Sequence, residues 1–206
     1  MKGLVLKELY AAKTTLKSAL TSAVIFTVMA IGMKSPGYLG AAIMILISTC
    51  VINSIAYDES SKWDMMLITM PVTAKQAVGA KYVSFLLFDG IGFVYSGVIY
   101  AIIEKDLPGA FIFGGSMAVA AILYMSLLVP VYVKYGVQKA RMIFFAAIFL
   151  PIFLIVLLAS VADDIGISII SQANEIAVFI TLSAVAALCF IVSLNVSAKI
   201  YSKKDF

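Results

Sequence analysis

Residues 57–82, YDESSKWDMMLITMPVTAKQAVGAKY, form one long polar interruption in a chain that is otherwise strongly apolar. The stretch holds three acids, three lysines and the only tryptophan of the sequence. It separates two apolar runs on its N-terminal side from several more on its C-terminal side. Its position therefore decides how the chain is divided into helices.

The composition on either side of this stretch is that of a membrane protein. Hydrophobic residues make up 63% of the 206 residues and charged residues only 13%, whereas soluble domains carry about 45–50% and about 25%. Several apolar runs of about 20 residues are long enough to cross a hydrocarbon core of about 30 Å as helices. The runs do not alternate polar and apolar residues as the strands of a membrane barrel do. The sequence therefore predicts an all-α membrane protein.

We predict six transmembrane helices within a single domain, residues 1–206. They run roughly over Ser18–Met33, Tyr38–Ala56, Ala80–Ile103, Ala110–Val133, Met142–Ala162 and Ile176–Ser197. Three prolines fall between spans, where helices are expected to break, while Pro130 and Pro151 fall inside spans and should kink them.

The basic residues predict the orientation of these spans. Thirteen of the fifteen lysine and arginine residues lie in segments that the six spans place on one side of the membrane, and only Lys34 and Lys105 lie on the other. Cytoplasmic loops are the ones rich in lysine and arginine. Both termini are therefore expected in the cytoplasm, as an even number of spans requires.

Recognisable enzymatic motifs are absent from the sequence. The chain contains no histidine, which excludes Ser-His-Asp triads and zinc sites that use histidine. No G-x-x-x-x-G-K-[ST] loop for nucleotide phosphates and no G-x-S-x-G elbow occur. We therefore expect no catalytic, cofactor or metal site in this chain and no nucleic-acid partner, and any ATP hydrolysis should take place on another subunit.

Asp89, in LLFDGIGF, is the one clear ionisable residue deep inside a predicted span. A carboxylate at that depth is costly unless it is paired, hydrated or protonated. One interpretation is an acid on a translocation path that contacts a cationic substrate or couples to protons. The other is a structural acid bonded to a neighbouring helix, and the sequence leaves both open.

The polar interruption itself predicts two short helical starts. Ser61 and Asp64 are spaced as a capping box, and Trp63, Met66, Leu67 and Met70 follow at the spacing of one apolar helix face. Pro71 should end this helix, and the capping box from Thr73 to Gln76 should begin the next. Asp58, Glu59 and Asp64 suit helix caps and dipole partners. Physical chemistry alone leaves two roles for the short helix, an interfacial anchor or a docking surface for a cytoplasmic partner.

Three cytoplasmic segments resemble the ABC-2-type permeases, the membrane subunits of one class of ABC transporters. The first is the order Tyr57-Asp58-Glu59, Trp63-Asp64, Met70-Pro71-Val72-Thr73, Lys75 and Lys81-Tyr82. The second is the opening MKGLVLKELYAAK, and the third is YVKYGVQKAR, a basic loop between the fourth and fifth spans with Lys134, Lys139 and Arg141. Within that family, the small loops resemble bacterial exporters of antimicrobial peptides and phenol-soluble modulins.

The resemblance implies a set of partners and roles. A separate ATPase subunit, which holds ATP and Mg²⁺, would dock on a coupling segment at residues 57–79, through Asp58, Glu59, Ser61, Trp63, Asp64, Met66, Leu67 and Met70. Residues 1–17 would form an interfacial connecting helix, and residues 163–175 an outer loop that folds back into the membrane. Two permease chains, identical or similar, would pair in a bacterial plasma membrane and export an amphipathic peptide.

Two other functions stay open at this stage. The chain could bind peptides as an immunity or sensor protein without any ATPase, or it could be an ion-coupled carrier that uses Asp89. A stoichiometric ATPase partner would favour the exporter, and transport driven by an ion gradient without ATP would favour the carrier. The carrier is weakened by its single buried charge and by the lack of evident internal repeats.

Overall fold

The computed structural model describes residues 2–159 and 175–202, and all of its secondary structure there is helical. The helices are α1 (Lys2–Met33), α2 (Gly37–Ser60), α3 (Trp63–Ile68), α4 (Ala74–Glu104), α5 (Leu107–Ala159) and α6 (Glu175–Ser202). The backbone of α5 departs from helical geometry at Gly136, so that α5 consists of two helical arms. The predicted outer loop at residues 163–175 lies outside the described residues except for Glu175, which begins α6.

Four segments of these helices are long and apolar enough to cross a membrane. They are Thr15–Met33, Ala74–Glu104, Leu107–Ile143 and Phe179–Ser202. These confirm a multi-pass helical architecture. The predicted second and fifth spans are helical over their described residues but are not among the four, so the total of six spans and the orientation of the termini stay predictions.

The N-terminal residues do not form a helix of their own. From Lys2 onward, the predicted connecting helix at residues 1–17 and the first predicted span are one continuous helix, α1, of 32 residues. At 1.5 Å per residue α1 is about 48 Å long, well beyond a hydrocarbon core of about 30 Å. The physical reason for this continuity is that the junction, KTTLKS, contains neither proline nor glycine to interrupt the helix.

Of the two predicted capping boxes, the first from Ser61 to Asp64 and the second from Thr73 to Gln76, the structure contains only the second. The second is confirmed, because the Thr73 hydroxyl accepts a hydrogen bond from the Gln76 backbone N–H while the Gln76 side chain accepts one from the Thr73 backbone N–H. The first is wrong. Lys62, in the left-handed conformation, precedes α3 without a side-chain cap, and the Ser61 hydroxyl donates to the Tyr57 carbonyl oxygen at 2.7 Å instead. Ser61 therefore ends α2 rather than beginning α3.

The basic segment after the fourth span is also different from its prediction as a loop. Lys134, Lys139 and Arg141 all lie in helical residues of α5, on either side of Gly136. The backbone is helical at Pro130 and Pro151, and the kinks predicted there stay predictions. The break in α5 occurs at Gly136, which has φ 77° and ψ 167°. This combination is essentially confined to glycine.

The core lies between α2, α4, α5 and α6. Tyr82, Phe85 and Met125 are buried at its centre. The Tyr82 hydroxyl is 2.6 Å from Ser193 Oγ, and Ser193 donates to the Ser126 carbonyl oxygen, so that α4, α5 and α6 are joined by hydrogen bonds inside the apolar packing. This core holds fixed the ends of α2 and α4 that carry the polar interruption.

Candidate functional site

A cluster of charged side chains is buried where α1, α2 and α4 meet. Glu8 comes from α1, Asp58 from the last turns of α2 and Lys81 from the second turn of α4, and none of the three is more than 7% exposed. Lys7 of α1 completes the group at its edge. We call Lys7, Glu8, Asp58 and Lys81 the charge cluster.

The two lysines of the charge cluster are shared between its two carboxylates. The Nζ atoms of Lys7 and Lys81 each lie 3.1 Å from Oε1 of Glu8. Both Nζ atoms also contact the Asp58 carboxylate, Lys7 through Oδ1 and Lys81 through Oδ2. Two positive and two negative charges therefore balance, and every buried ionic oxygen of Asp58 has a cationic partner.

Glu8 also has a hydrogen-bond partner on α2, Ser54. The Ser54 hydroxyl of α2 donates to Oε2 of Glu8. Although burial raises the pKa of Glu8, the opposing effects of Lys81, Lys7 and the Ser54 hydroxyl hold that pKa below its ordinary value of 4.5. The ionised carboxylate is therefore the form that the fold stabilises.

Lowering the pH is expected to remove the stability that the ionised Glu8 contributes. Because its pKa is lower in the folded chain than in the unfolded chain, the contribution is fully present above pH 4.5 and is lost as the pH falls through the folded-state value. Thermal unfolding of the purified protein and of Glu8→Gln should differ by a constant amount between about pH 8 and about pH 5.5. The difference should shrink at lower pH. If the difference instead grew at lower pH, the ionised form of Glu8 would not be the form that stabilises the fold.

The short helix α3 contacts the charge cluster through its tryptophan. Lys7 Nζ lies 5.0 Å from the centroid of the Trp63 ring, within the range of a cation–π contact. Leu67 is buried, whereas Met65, Met66 and Met70 are exposed. The predicted apolar face of α3 is therefore divided, since Trp63 and Leu67 pack inward and Met66 and Met70 do not. The side chain of Asp64 lies outside the described part of the structure.

Glu59 joins the polar interruption to the break in α5. Its Oε2 accepts a hydrogen bond from the Val137 backbone N–H at 2.7 Å, a donor at the N-terminal end of the second arm. A Cβ atom at Gly136 would lie 2.8 Å from Glu59 Oε1. Glu59 thus caps the second arm of α5, and its close approach requires glycine at position 136.

Lys134, Lys139 and Arg141 are exposed and do not join the charge cluster. They flank the Glu59 contact along α5. The structure therefore brings Asp58 and Trp63 together around Lys7, and places Glu59 against α5, but leaves the three predicted basic residues at the surface.

Asp89 lies apart from this cluster, in the middle of α4. Its side chain is 5% exposed and lines a small cavity with residues of α2, α4 and α5. Within the described residues it has no hydrogen bond or ion pair. The interpretation of Asp89 as a structural acid bonded to a neighbouring helix therefore finds no partner in that part of the chain.

Lys7, Glu8 and Ser54 were not predicted as site residues, and Lys81 was named only as part of the family motif. The available signal was Lys81 itself, a lysine in the apolar run VGAKYVSF, which is hard to place at a surface. Nothing in the sequence connects it to Glu8, 73 residues earlier.

Comparison with known proteins gives one match over most of the chain. A family model described as ABC-2 family transporter protein matches residues 3–202. No curated protein matches the chain.

Proposed function

Because the chain belongs to the ABC-2 transporter family, we propose that it is the membrane subunit of an ATP-driven exporter. In this proposal two copies of the chain, or one copy and a similar chain, pair in a bacterial plasma membrane. Two separate ATPase subunits bind ATP and Mg²⁺ and dock on the cytoplasmic side. The cargo is a hydrophobic or amphipathic molecule, and an amphipathic peptide is the form we favour.

The placement of α3 is the observation that carries this proposal. Met65 and Met66 are 53% and 54% exposed on this short helix. Neighbouring exposed apolar side chains on an otherwise polar connection support a contact surface for a partner. On the inner side Trp63 contacts Lys7. A partner bound to the exposed methionines would therefore press on the charge cluster.

The charge cluster would then carry this movement into the bundle. Its members come from α1, α2 and α4, so a displacement of α3 reaches three long helices through side chains that are already in contact. Closely packed interfaces respond to such a displacement by switching between discrete arrangements rather than by continuous deformation. We infer that this coupling converts ATPase closure into a change of access between the two sides of the membrane.

Purification of the tagged chain from its native membrane should recover a stoichiometric subunit with a P-loop. Met66→Asp is expected to reduce recovery of that subunit by about tenfold, because it buries a charge in an apolar contact. Met66→Leu keeps the surface apolar and serves as the matched control. Trp63→Asp is less suitable for this purpose because Trp63 also contacts Lys7.

Two outcomes would overturn the proposal. One is a reproducible absence of any P-loop subunit from the purified wild-type chain, which would favour a protein that binds peptides without ATP. The other is equal recovery of the ATPase with Met66→Asp and Met66→Leu, which would place the docking surface elsewhere.

A further inference from the structure

Two cavities adjoin inside the membrane-spanning part of the bundle. The larger is an apolar groove of about 120 Å³ between α1, α2 and α4, with Leu16, Leu20 and Phe88 among its lining residues. The smaller, of about 10 Å³, has Asp89 among its lining residues. Ile43, Ile47 and Gly92 line both cavities. These three residues are therefore a shared wall between an apolar groove and a carboxylate.

The shared wall is thin because position 92 has no side chain. A Cβ atom at Gly92 would overlap the terminal methyl group of Ile47, so Ile47 packs directly on the α4 backbone. A ligand that reaches Asp89 from the groove would therefore have to displace the side chains of Ile47 and Ile43 at this point.

Among the described residues that line its cavity, the Asp89 carboxylate has no counter-charge. The described neighbours there are apolar except for Ser96, whose hydroxyl donates to the Phe93 carbonyl oxygen at 3.1 Å. Asp89 itself has no hydrogen bond or ion pair among the described residues. A charged carboxylate in a medium of low dielectric constant is strongly disfavoured unless it is paired with a cation, hydrated or protonated. A ligand that brings one positive charge would supply the pairing and so stabilise the ionised form of Asp89.

The size of the small cavity limits the kind of cation. A volume of about 10 Å³ is close to the minimum of roughly 10–15 Å³ that accommodates one water molecule. A primary ammonium group is of similar size and can donate hydrogen bonds to the carboxylate, whereas a quaternary ammonium group is larger and has no hydrogen to donate.

We propose that Asp89 and the groove form a binding site for an amphipathic primary amine, with its ammonium group at Asp89 and its hydrocarbon part in the groove. The further step that this amine is the transported cargo rests on the proposed transport function. A lysine side chain of an amphipathic peptide and the headgroup of phosphatidylethanolamine both present the same ammonium chemistry.

Binding of simple amines to the full-length chain tests the site. The purified chain in nanodiscs of phosphatidylcholine, a lipid without a primary amine, would be equilibrated near neutral pH with dodecylamine, dodecanol or dodecyltrimethylammonium, with empty nanodiscs as background. We expect dodecylamine to bind at least about tenfold more tightly than either of the others. Equal affinity for the amine and the alcohol, or for the primary and the quaternary cation, would overturn the proposal.

Substitution of Asp89 should remove this preference. In Asp89→Asn the affinity for dodecylamine should fall to that for dodecanol, while the affinity for dodecanol should stay within about twofold of the wild type. Glu104→Gln, which removes an exposed acid at the end of the same helix, is the matched control and should retain the preference. Retention of the preference by Asp89→Asn would overturn the proposal.

A photoreactive alkylamine locates the site on the wild-type chain and does not depend on the folding of a variant. Labelling should concentrate on the residues of α1, α2 and α4 that line the groove and on those around Asp89, and dodecylamine but not dodecanol should suppress it. Labelling spread evenly over the exposed apolar residues would contradict the site. Suppression by added phosphatidylethanolamine would identify a lipid as the natural amine, and its absence would identify a peptide or other free amine.

These measurements use the permease without its ATPase. A negative result would leave the exporter proposal intact, and failure to recover an ATPase would leave the amine site intact.

Discussion

Replacement of Lys81 by methionine is expected to lower the thermal midpoint of unfolding by on the order of 10 °C. The substitution keeps the length of the side chain but leaves the carboxylates of Glu8 and Asp58 with Lys7 as their only cation in the charge cluster. Removal of one member of a buried ion pair typically costs about 3–5 kcal/mol because the remaining charge is uncompensated. The buried thiol of Cys50, 2% exposed, provides the measurement through its rate of reaction with a thiol reagent during heating, in a Cys189→Ala background.

Two further variants distinguish charge imbalance from a general effect of substitution. Lys75→Met, which changes an exposed lysine in the first turn of the same helix, should alter stability by less than about 0.5 kcal/mol. The double variant Lys81→Met with Glu8→Gln removes one charge of each sign and leaves the contact of Lys7 with Asp58. It should therefore recover at least half of the loss. Additive losses in the double variant would show that Lys81 and Glu8 do not stabilise each other.

Replacement of Gly136 by alanine should destabilise the protein by about 1–3 kcal/mol through the backbone alone. The conformation of Gly136, φ 77° and ψ 167°, is one that side-chain-bearing residues rarely adopt. The new methyl group would also stand 2.8 Å from Oε1 of Glu59, so the carboxylate must withdraw from the Val137 N–H. We expect the same thiol-reaction assay to report a lower midpoint and proteolysis to increase near the junction of the two arms.

A glycine elsewhere on the chain provides the control for this variant. Gly90 lies inside α4, and a Cβ atom there meets nothing within 4 Å. Gly90→Ala should be neutral or slightly stabilising, since alanine favours the helix over glycine by about 0.8–1.0 kcal/mol. If Gly136→Ala behaved in the same way as Gly90→Ala, the break in α5 would not depend on glycine and the contact with Glu59 would carry no energy.

The regular parts of the fold could be predicted because they depend on local patterns. The all-helical membrane architecture follows from long apolar runs. The start of α4 follows from the capping box between Thr73 and Gln76, which lie three positions apart and need no distant partner. The capping box predicted at Ser61 was wrong because the same residue type can also end a helix. Ser61 fits an N-cap by sequence but is used at the end of α2, because the turn through Lys62 leaves it closest to the Tyr57 carbonyl.

The candidate site could be predicted only in part. Asp58, Glu59 and Trp63 were identified through a family resemblance, and the structure gives each a specific contact. Their partners Lys7, Val137 and Lys81 were not identified because they lie on other helices. The pattern of residues within one segment does not show which helices pack against each other. The basic segment was predicted as a loop because it lies between two predicted spans and resembles a family loop, whereas in the structure Gly136 joins two arms of one helix there.

The sequence by itself determined that this protein is a bundle of apolar helices interrupted at residues 57–82, since burial in lipid depends on the composition and length of each run. Only the tertiary structure decided what the charges of that interruption do. A buried lysine and a buried carboxylate are tolerated when their charged groups lie within a few ångströms of each other. That distance, for Lys81 and Glu8, is set by the packing of α1 against α2 and α4 and not by any property of either segment alone.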